Sequence, residues 1–169
     1  SNNTVSRVLN PGVSGVVTIG GSDGNFANAS QAVNYMINSG VAGTSGVTFS
    51  FRPGTYTGQI TLPENILGAG KPDVPIIFQS ASGNPSDVVL QYAATSSADN
   101  YVVRLNGTDY VQFRNMTLQN TSTSFGRVFE LTSTSIGTQH GSDNITIEGN
   151  ILNSRDAVTS STFDATIYA

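Results

Sequence analysis

The residues able to carry out chemistry are few in this 169-residue chain, and they lie far apart. Cysteine is absent, which excludes thiolate catalysis, disulfides and cysteine zinc sites. The single histidine, His140, lies in a glycine-flanked loop, and one imidazole without thiols or nearby carboxylates cannot hold zinc. A serine hydrolase needs a sharp G-x-S-x-G turn, and Gly12-Val13-Ser14-Gly15 falls short of that pattern. The sequence therefore assigns no catalytic residue and no metal ligand.

The aspartates do not form a cluster in the sequence: Asp99, Asp109, Asp143 and Asp156 are spread along its second half. Asp109 and Asp143 begin two similar segments, and acidic residues at matched positions favour turn capping over calcium ligation. No cofactor is expected, and calcium stays open without a ligand set to support it.

Two tyrosines suggest a binding surface. Tyr92 and Tyr101 flank the polar loop 93–100, and an aromatic ring with a polar tip offers a face on which a sugar can stack. Tyr35 and Met36 share helical phase with apolar neighbours and are predicted to lie in the core. The glycine-rich segment 20–24 lacks the lysine of a phosphate-binding loop and is predicted to be a turn.

The net charge and the composition limit the classes of partner that the chain is expected to bind. The net charge is -4, and the seven basic residues are scattered, so neither nucleic acid nor an anionic membrane is an expected partner. No apolar run approaches the roughly 20 residues that span a bilayer. The absence of cysteine also fits an extracellular bacterial protein, and residues 1–169 are predicted to form a single domain.

The elements that must position these side chains are one helix and many short strands. Residues 28–39 have helical spacing, with Asn28 or Ser30 as N-cap and Gly40 just beyond the helix end. Without a second helix, a doubly wound α/β sheet is improbable. Short apolar alternations between glycines and prolines predict strands at 13–19, 47–51, 59–63, 75–80, 87–92, 101–105 and 127–131.

An internal repeat indicates how the strands are arranged. The segments 109–118 and 143–152 share one design, a polar entry, an alternating strand, an asparagine and a second apolar stretch, at an offset of 34 positions. Stacking of such units predicts an all-β fold, a right-handed parallel β-helix with helix 28–39 capping its first coil. Asn115 and Asn150 are the expected ladder of corner asparagines. An antiparallel sandwich is the alternative.

The sequence also resembles known β-helices. Gly24-Asn25-Phe26-Ala27-Asn28-Ala29-Ser30-Gln31-Ala32-Val33, followed by Pro53-Gly54-Thr55-Tyr56 and Ile60-Thr61-Leu62, is similar to the entry of pectate-lyase-like and pectinesterase-like proteins. The stretches 106–115 and 142–147 resemble repeats of large surface proteins secreted by Bacteroidetes-like bacteria. The resemblance covers about residues 15–169 and implies a secreted or cell-surface protein, of which this chain would be the N-terminal part of a longer β-helix.

The residues that a pectin enzyme would need are incomplete. The resemblance places the pectinesterase Gln-Asp pair at Arg155-Asp156, where arginine replaces glutamine. The companion motif is also missing, because 126–131 lacks the expected glutamine and aspartate. A pectate lyase would need a calcium-binding acidic cluster beside a basic residue, and the aspartates are dispersed.

Three functions follow as hypotheses. The leading one is a noncatalytic, extracellular structural or adhesive module of a bacterial surface protein, with polysaccharide as its candidate partner. The second is part of a polysaccharide lyase or carbohydrate esterase whose remaining site residues lie beyond Ala169. The third is a self-assembling subunit that stacks through an open coil end, where unpaired strand edges accept a partner.

Overall fold

In the computed structural model, residues 11–133, 141–155 and 165–169 are described. No helix in these ranges is long and apolar enough to cross a membrane. A short 3₁₀ turn at Pro85–Asp87 accompanies the main elements. In chain order these are β1 (Gly15–Ile19), α1 (Ala29–Ser39), β2 (Val47–Phe51), β3 (Gly54–Thr57), β4 (Ile60–Pro63), β5 (Ile76–Ser80), β6 (Val88–Tyr92), β7 (Val103–Asn106), β8 (Val111–Arg114), β9 (Thr117–Asn120), β10 (Phe129–Thr132), β11 (Thr146–Glu148), β12 (Ile151–Asn153) and β13 (Ile167–Tyr168).

The strands form three sheets in which every neighbouring pair is parallel. The first sheet has the order β1-β2-β5-β8-β11, the second β12-β9-β6-β3 and the third β13-β10-β7-β4. Successive coils therefore contribute one strand to each sheet, and a strand stacks on its equivalent in the previous coil. The predicted all-β, parallel β-helix is confirmed, and the antiparallel sandwich is wrong because it would require antiparallel pairs.

Alternation of side chains builds the core. In the first sheet, Phe49, Phe78 and Phe113 occupy one register position on successive strands and are fully buried. Their ring centroids lie 5.1 Å and 4.9 Å apart, and the rings are stacked. Because strands in a sheet are spaced by ~4.8 Å, identical aromatic residues at one inward position stack face to face.

The repeat at an offset of 34 is also confirmed. Gln112 pairs with Thr146, and Thr117 pairs with Ile151, so the two segments lie one above the other. Asn115 adopts the left-handed conformation expected at a corner, with φ of 51°. The offset of 34 positions thus corresponds to one full coil of the solenoid.

The prediction that Asn115 and Asn150 stack on each other as a ladder is wrong. The residue stacked on Asn115 is Gly149, where a Cβ would lie 2.2 Å from the Asn115 Oδ1 atom. Asn150 instead bridges the coils through its side chain, accepting from the Met116 amide at 2.9 Å and donating to the Phe113 carbonyl at 2.7 Å. A glycine leaves room for the side chain of the coil beneath, so Gly149 and not a second asparagine lies over Asn115.

The Pro-Gly-Thr-Tyr segment, of which Gly54, Thr55 and Tyr56 belong to β3, fixes the first corner through its tyrosine. Tyr56 is buried against Phe51, with ring centroids 5.2 Å apart in an edge-to-face arrangement. Its hydroxyl lies 2.8 Å from the Arg52 carbonyl and 3.1 Å from the Ile19 carbonyl, to either of which it can donate. Gly20, at φ of 84°, approaches this hydroxyl so closely that a Cβ would lie 2.0 Å from it.

The predicted helix is present and packs along β4, the edge strand of the third sheet. Asn28 is the N-cap, and its side chain accepts from the Gln31 amide at 3.0 Å. Met36 is fully buried as expected, whereas Tyr35 is only half-buried and packs on Phe26. The helix thus occupies the place that a preceding strand would take beside β4. Whether residues 1–169 form one domain of a longer β-helix stays a prediction.

Candidate functional site on the third sheet

The outer face of the third sheet carries a row of polar and aromatic side chains. Register places Thr61 of β4 beside Arg104 of β7, Arg104 beside Glu130 of β10, and Glu130 beside Tyr168 of β13. In β4, β7 and β10 the residues on either side of the row point into the core, whereas Ile167 of β13 is half exposed. Since parallel strands are ~4.8 Å apart, this third-sheet row extends for about 14 Å along the solenoid.

Glu130 is held between two arginines. Arg104 Nε contacts Glu130 Oε2, and Arg127 donates from its guanidinium to Glu130 Oε1 at 2.7 Å. The side chains of Glu130 and Arg127 are 7% and 11% exposed, so the pair lies largely away from water. Charge-assisted hydrogen bonds are strongest in such surroundings, and losing one partner leaves a buried charge uncompensated. Both carboxylate oxygens are therefore engaged in fixing the arginines.

Each fixed guanidinium covers a tyrosine ring. The Arg104 Cζ atom lies 3.8 Å from the Tyr101 ring centroid, and the Arg127 Cζ atom lies 3.7 Å from the Tyr168 ring centroid. Tyr101 is buried, at 8% exposure, whereas Tyr168 is 42% exposed. Tyr168 thus combines a rigid cationic backing with an aromatic surface open to solvent.

The loop 93–100 beside the row is organised by Asp99. Its carboxylate accepts hydrogen bonds from the backbone and hydroxyl groups of Thr95 and Ser96 and from the Tyr92 hydroxyl. Desolvation acts to raise the pKa of Asp99, but the hydrogen bonds from Ser96, Thr95 and Tyr92 outweigh it and hold the pKa well below its ordinary value. The hydrogen bond that the Tyr92 hydroxyl donates to Asp99 raises the pKa of Tyr92, and desolvation raises it further.

The two predicted sugar-binding tyrosines therefore lie in different surroundings. Tyr101 joins the third-sheet row, and its hydroxyl accepts from the Thr61 hydroxyl at 3.2 Å. Tyr92 lies at the loop entrance, with its hydroxyl committed to Asp99 at 2.9 Å. The tertiary structure brings Tyr101 under Arg104, so the ring face on that side is covered. Sugar contact by either tyrosine stays a prediction.

A groove continues the row past β4. It has a volume of about 290 Å³, and we call it the helix groove because α1 forms one wall and β4 the other. It is lined by Ser30, Val33, Asn34, Gln59 and Thr61. Gln59 donates to the carbonyls of Asp99 at 2.9 Å and Tyr101 at 2.8 Å, which ties this wall to the loop.

The repeated aspartates lie at a different place, in a cleft of about 540 Å³ that also includes Glu64 and Leu67. Asp109 Oδ1 accepts from the Asp143 amide at 2.8 Å, so the predicted turn capping between coils is confirmed. Among the described residues, no three acidic or histidine side chains converge in a way that could hold a metal ion.

The other residues singled out in the sequence are only partly within the described ranges. His140 and Asp156 lie outside them. Arg155 lies inside, and its guanidinium donates to the Thr123 carbonyl at 2.8 Å.

Sequence reasoning missed Arg104, Arg127, Glu130 and Tyr168 as members of one surface. A partial signal was present: in each strand of the third sheet an apolar residue precedes the residue of the row, as in Ile60-Thr61, Val103-Arg104, Phe129-Glu130 and Ile167-Tyr168. These pairs are visible in the sequence, but strand pairing in the tertiary structure determines which of them stack and where Arg127 lies.

Comparison with known proteins supports the fold. Neither models of protein families nor curated proteins match the chain. Two solved structures do, both of the pectin methylesterase from Aspergillus niger. The deglycosylated form is 16% identical with a TM-score of 0.51, covering 72% of this chain and 40% of that one. The penultimately deglycosylated form is 20% identical with a TM-score of 0.52, covering 76% of this chain and 42% of that one.

At this identity the likeness concerns the parallel β-helix alone, and this chain spans less than half the length of those enzymes.

Proposed function

We propose that this β-helix binds a polysaccharide along the third-sheet row and does not cleave it. The observation that carries the proposal is Tyr168, a residue that is 42% exposed and whose ring is backed at 3.7 Å by the Arg127 guanidinium. Because Glu130 fixes Arg127, the ring is supported before any ligand arrives. A preorganised aromatic surface loses little entropy on binding and can stack on the apolar face of a sugar ring.

The carboxylates of the third-sheet row and of the adjoining loop 93–100 support binding over catalysis. A nucleophile or general base needs an oxygen within reach of the substrate and a base or acid partner matched to its task. Both Glu130 oxygens are bonded to arginines, and both Asp99 oxygens accept from loop donors. These two acids therefore serve as fixed acceptors that hold the surface in shape.

The setting of the proposed function is outside the cell. A secreted structural or adhesive module, of the kind that the sequence resembles in large bacterial surface proteins, would present a rigid solenoid face to polysaccharide. The fold likeness to a pectin methylesterase motivates the choice of polysaccharide as the partner class. Secretion and surface attachment belong to the proposal as well.

Affinity electrophoresis in gels containing galactan, xylan, mannan or polygalacturonate tests the binding. At least one polysaccharide should retard the protein, and Tyr168→Ala should weaken its binding about tenfold or more because an aromatic anchor is lost. Tyr168→Phe is the matched control, since it keeps the ring, and should bind like the unchanged protein. Equal binding by the Tyr168→Ala variant would overturn the proposal.

The enzyme alternative makes the opposite prediction. Methanol release from methyl-esterified pectin, or calcium-dependent cleavage of polygalacturonate, would sink the noncatalytic proposal if Asp156→Ala abolished it. The proposal expects neither product above the level of a heat-denatured control. The self-assembly alternative is separate, and light scattering that finds only monomers at high concentration would count against it.

A further inference from the structure

The helix groove lies at the other end of the third-sheet row from Tyr168. Thr61 belongs to both, since it lines the groove and stands in register with Arg104. Its hydroxyl donates to the Tyr101 hydroxyl, and Arg104 covers the Tyr101 ring. A ligand lying along the row would therefore reach the groove without a break in the polar surface.

The side chains that line the groove are complementary to an uncharged ligand. Ser30 and Thr61 supply hydroxyls, Asn34 and Gln59 supply amides, and the buried Val33 lies beneath them. The Ser30 hydroxyl also donates to the Gln59 carbonyl at 3.5 Å and can still accept. Hydroxyl and amide groups both donate and accept, as sugar hydroxyls do, and none of these five side chains carries a formal charge. An uncharged sugar ring would find complementary groups here without needing a counter-ion.

One of the amides is held in a fixed orientation. The two Gln59 Nε2 hydrogen bonds, to the carbonyls of Asp99 and Tyr101, commit its donors and leave Oε1 as the acceptor. A side-chain amide held in one orientation in the groove lining is the kind of placed polar group that gives a small-ligand site its orientation. The loop organised by Asp99 thus shapes the groove as well as the row.

From these contacts we infer that the helix groove is a subsite for one uncharged sugar unit of a glycan whose next units lie along the third-sheet row. The inference rests on the proposed function, because the same glycan occupies both places. The volume of about 290 Å³ is near the lower end of small-molecule sites, which begin at roughly 300 Å³, and it suits a single ring. The glycan therefore carries at least one neutral residue.

Isothermal titration with galactan, xylan and polygalacturonate tetramers tests this subsite in the full chain. A neutral tetramer should bind more tightly than the uronate tetramer, and Asn34→Ala should weaken that binding about 3- to 10-fold, the effect of one lost hydrogen bond. Asn38→Ala is the matched control, because Asn38 lies on the same helix outside the groove lining. Its amide donates to the Asn34 backbone carbonyl at 2.8 Å and not to the Asn34 side chain, so its loss should leave binding unchanged. In ¹H–¹⁵N spectra, the Asn34 side-chain amide should shift with ligand.

The outcomes separate the two proposals. Weaker binding of a neutral tetramer by Tyr168→Ala but not by Asn34→Ala, with an unmoved Asn34 amide, would overturn the subsite and leave the third-sheet row in place. Equal sensitivity to Asn34→Ala and Asn38→Ala would also overturn the subsite, because it would indicate a change in the helix as a whole. If neither Tyr168→Ala nor Asn34→Ala weakened the binding, both proposals would be overturned.

Discussion

At the scale of single residues, Asp99 shows how one short acid can organise a loop. Its two oxygens receive backbone and hydroxyl donors from Thr95 and Ser96, and Tyr92 adds a third hydroxyl. These donors favour the ionised carboxylate and hold its pKa below the ordinary 3.8 despite desolvation. The loop conformation is therefore coupled to the charge of one residue.

Asp99→Asn should destabilise the protein by about 1–2 kcal/mol at neutral pH, because the amide places N–H groups where an acceptor oxygen stood. A depressed pKa in the folded state contributes stability above the unfolded value, and that contribution is lost as the pH falls through the folded value. The difference between variant and unchanged protein should thus shrink as the pH drops below 3.8. Urea unfolding at several pH values measures it.

The exposed Asp73 provides the control for that pH series. Asp73→Asn should leave the free energy of unfolding nearly unchanged at neutral pH. A constant difference between Asp99→Asn and the unchanged protein down to strongly acidic pH would contradict the role given to the Asp99 charge.

At the scale of elements, α1 covers the edge strand β4 of the third sheet. The backbone edge of β4 would otherwise be open, and open edges invite pairing with other chains. The helix buries Ala29, Ala32, Val33 and Met36 and begins at the Asn28 cap. The cap also sets where the groove wall starts, since Ser30 and Asn34 lie on the first two turns.

Asn28→Ala should cost about 1 kcal/mol of stability, because the cap hydrogen bond to the Gln31 amide is lost and an orphan donor remains. Chemical denaturation followed by circular dichroism measures the change. Asn38→Ala replaces an exposed helical asparagine with the best helix former and should cause no loss of comparable size. An equal loss in both variants would contradict the assignment of Asn28 as the N-cap.

At the scale of the whole molecule, the inward ladders make the coils depend on one another. Phe78 stacks between Phe49 and Phe113, and it also contacts Phe51 at a centroid distance of 6.5 Å. Each coil rests only on its neighbours, so a defect in the middle coil weakens contacts on both sides. The core is continuous across the three sheets.

Phe78→Ala should therefore cost about 3–5 kcal/mol, the usual effect of removing a buried aromatic side chain. Ile77→Ala is the matched control on the same strand, since Ile77 points to the outer face, and should cost about 1 kcal/mol or less. Urea unfolding monitored by tyrosine fluorescence measures both. Similar costs for the two variants would contradict the inward and outward assignment of β5.

Features that depend on neighbouring residues could be predicted from the sequence alone. Alternation predicted most of the strands, Gly40 and one of the two N-cap candidates, Asn28, predicted the helix bounds, and the matched segments predicted the coil of 34 residues. Asp109 was correctly assigned to turn capping because short acidic side chains bond nearby backbone. In each case the determining contacts are local or repeat at one fixed offset.

The third-sheet row and its groove were decided by tertiary structure alone. Arg104 and Glu130 are separated by 26 positions, whereas Thr61 and Arg104 are separated by 43 (104 minus 61), so no single period aligns the strands of the row. The loops set a different length for each coil, and only the paired strands reveal which side chains meet. A site composed of one residue from each of several strands depends on register, and register is fixed when the inward apolar residues pack into a common core.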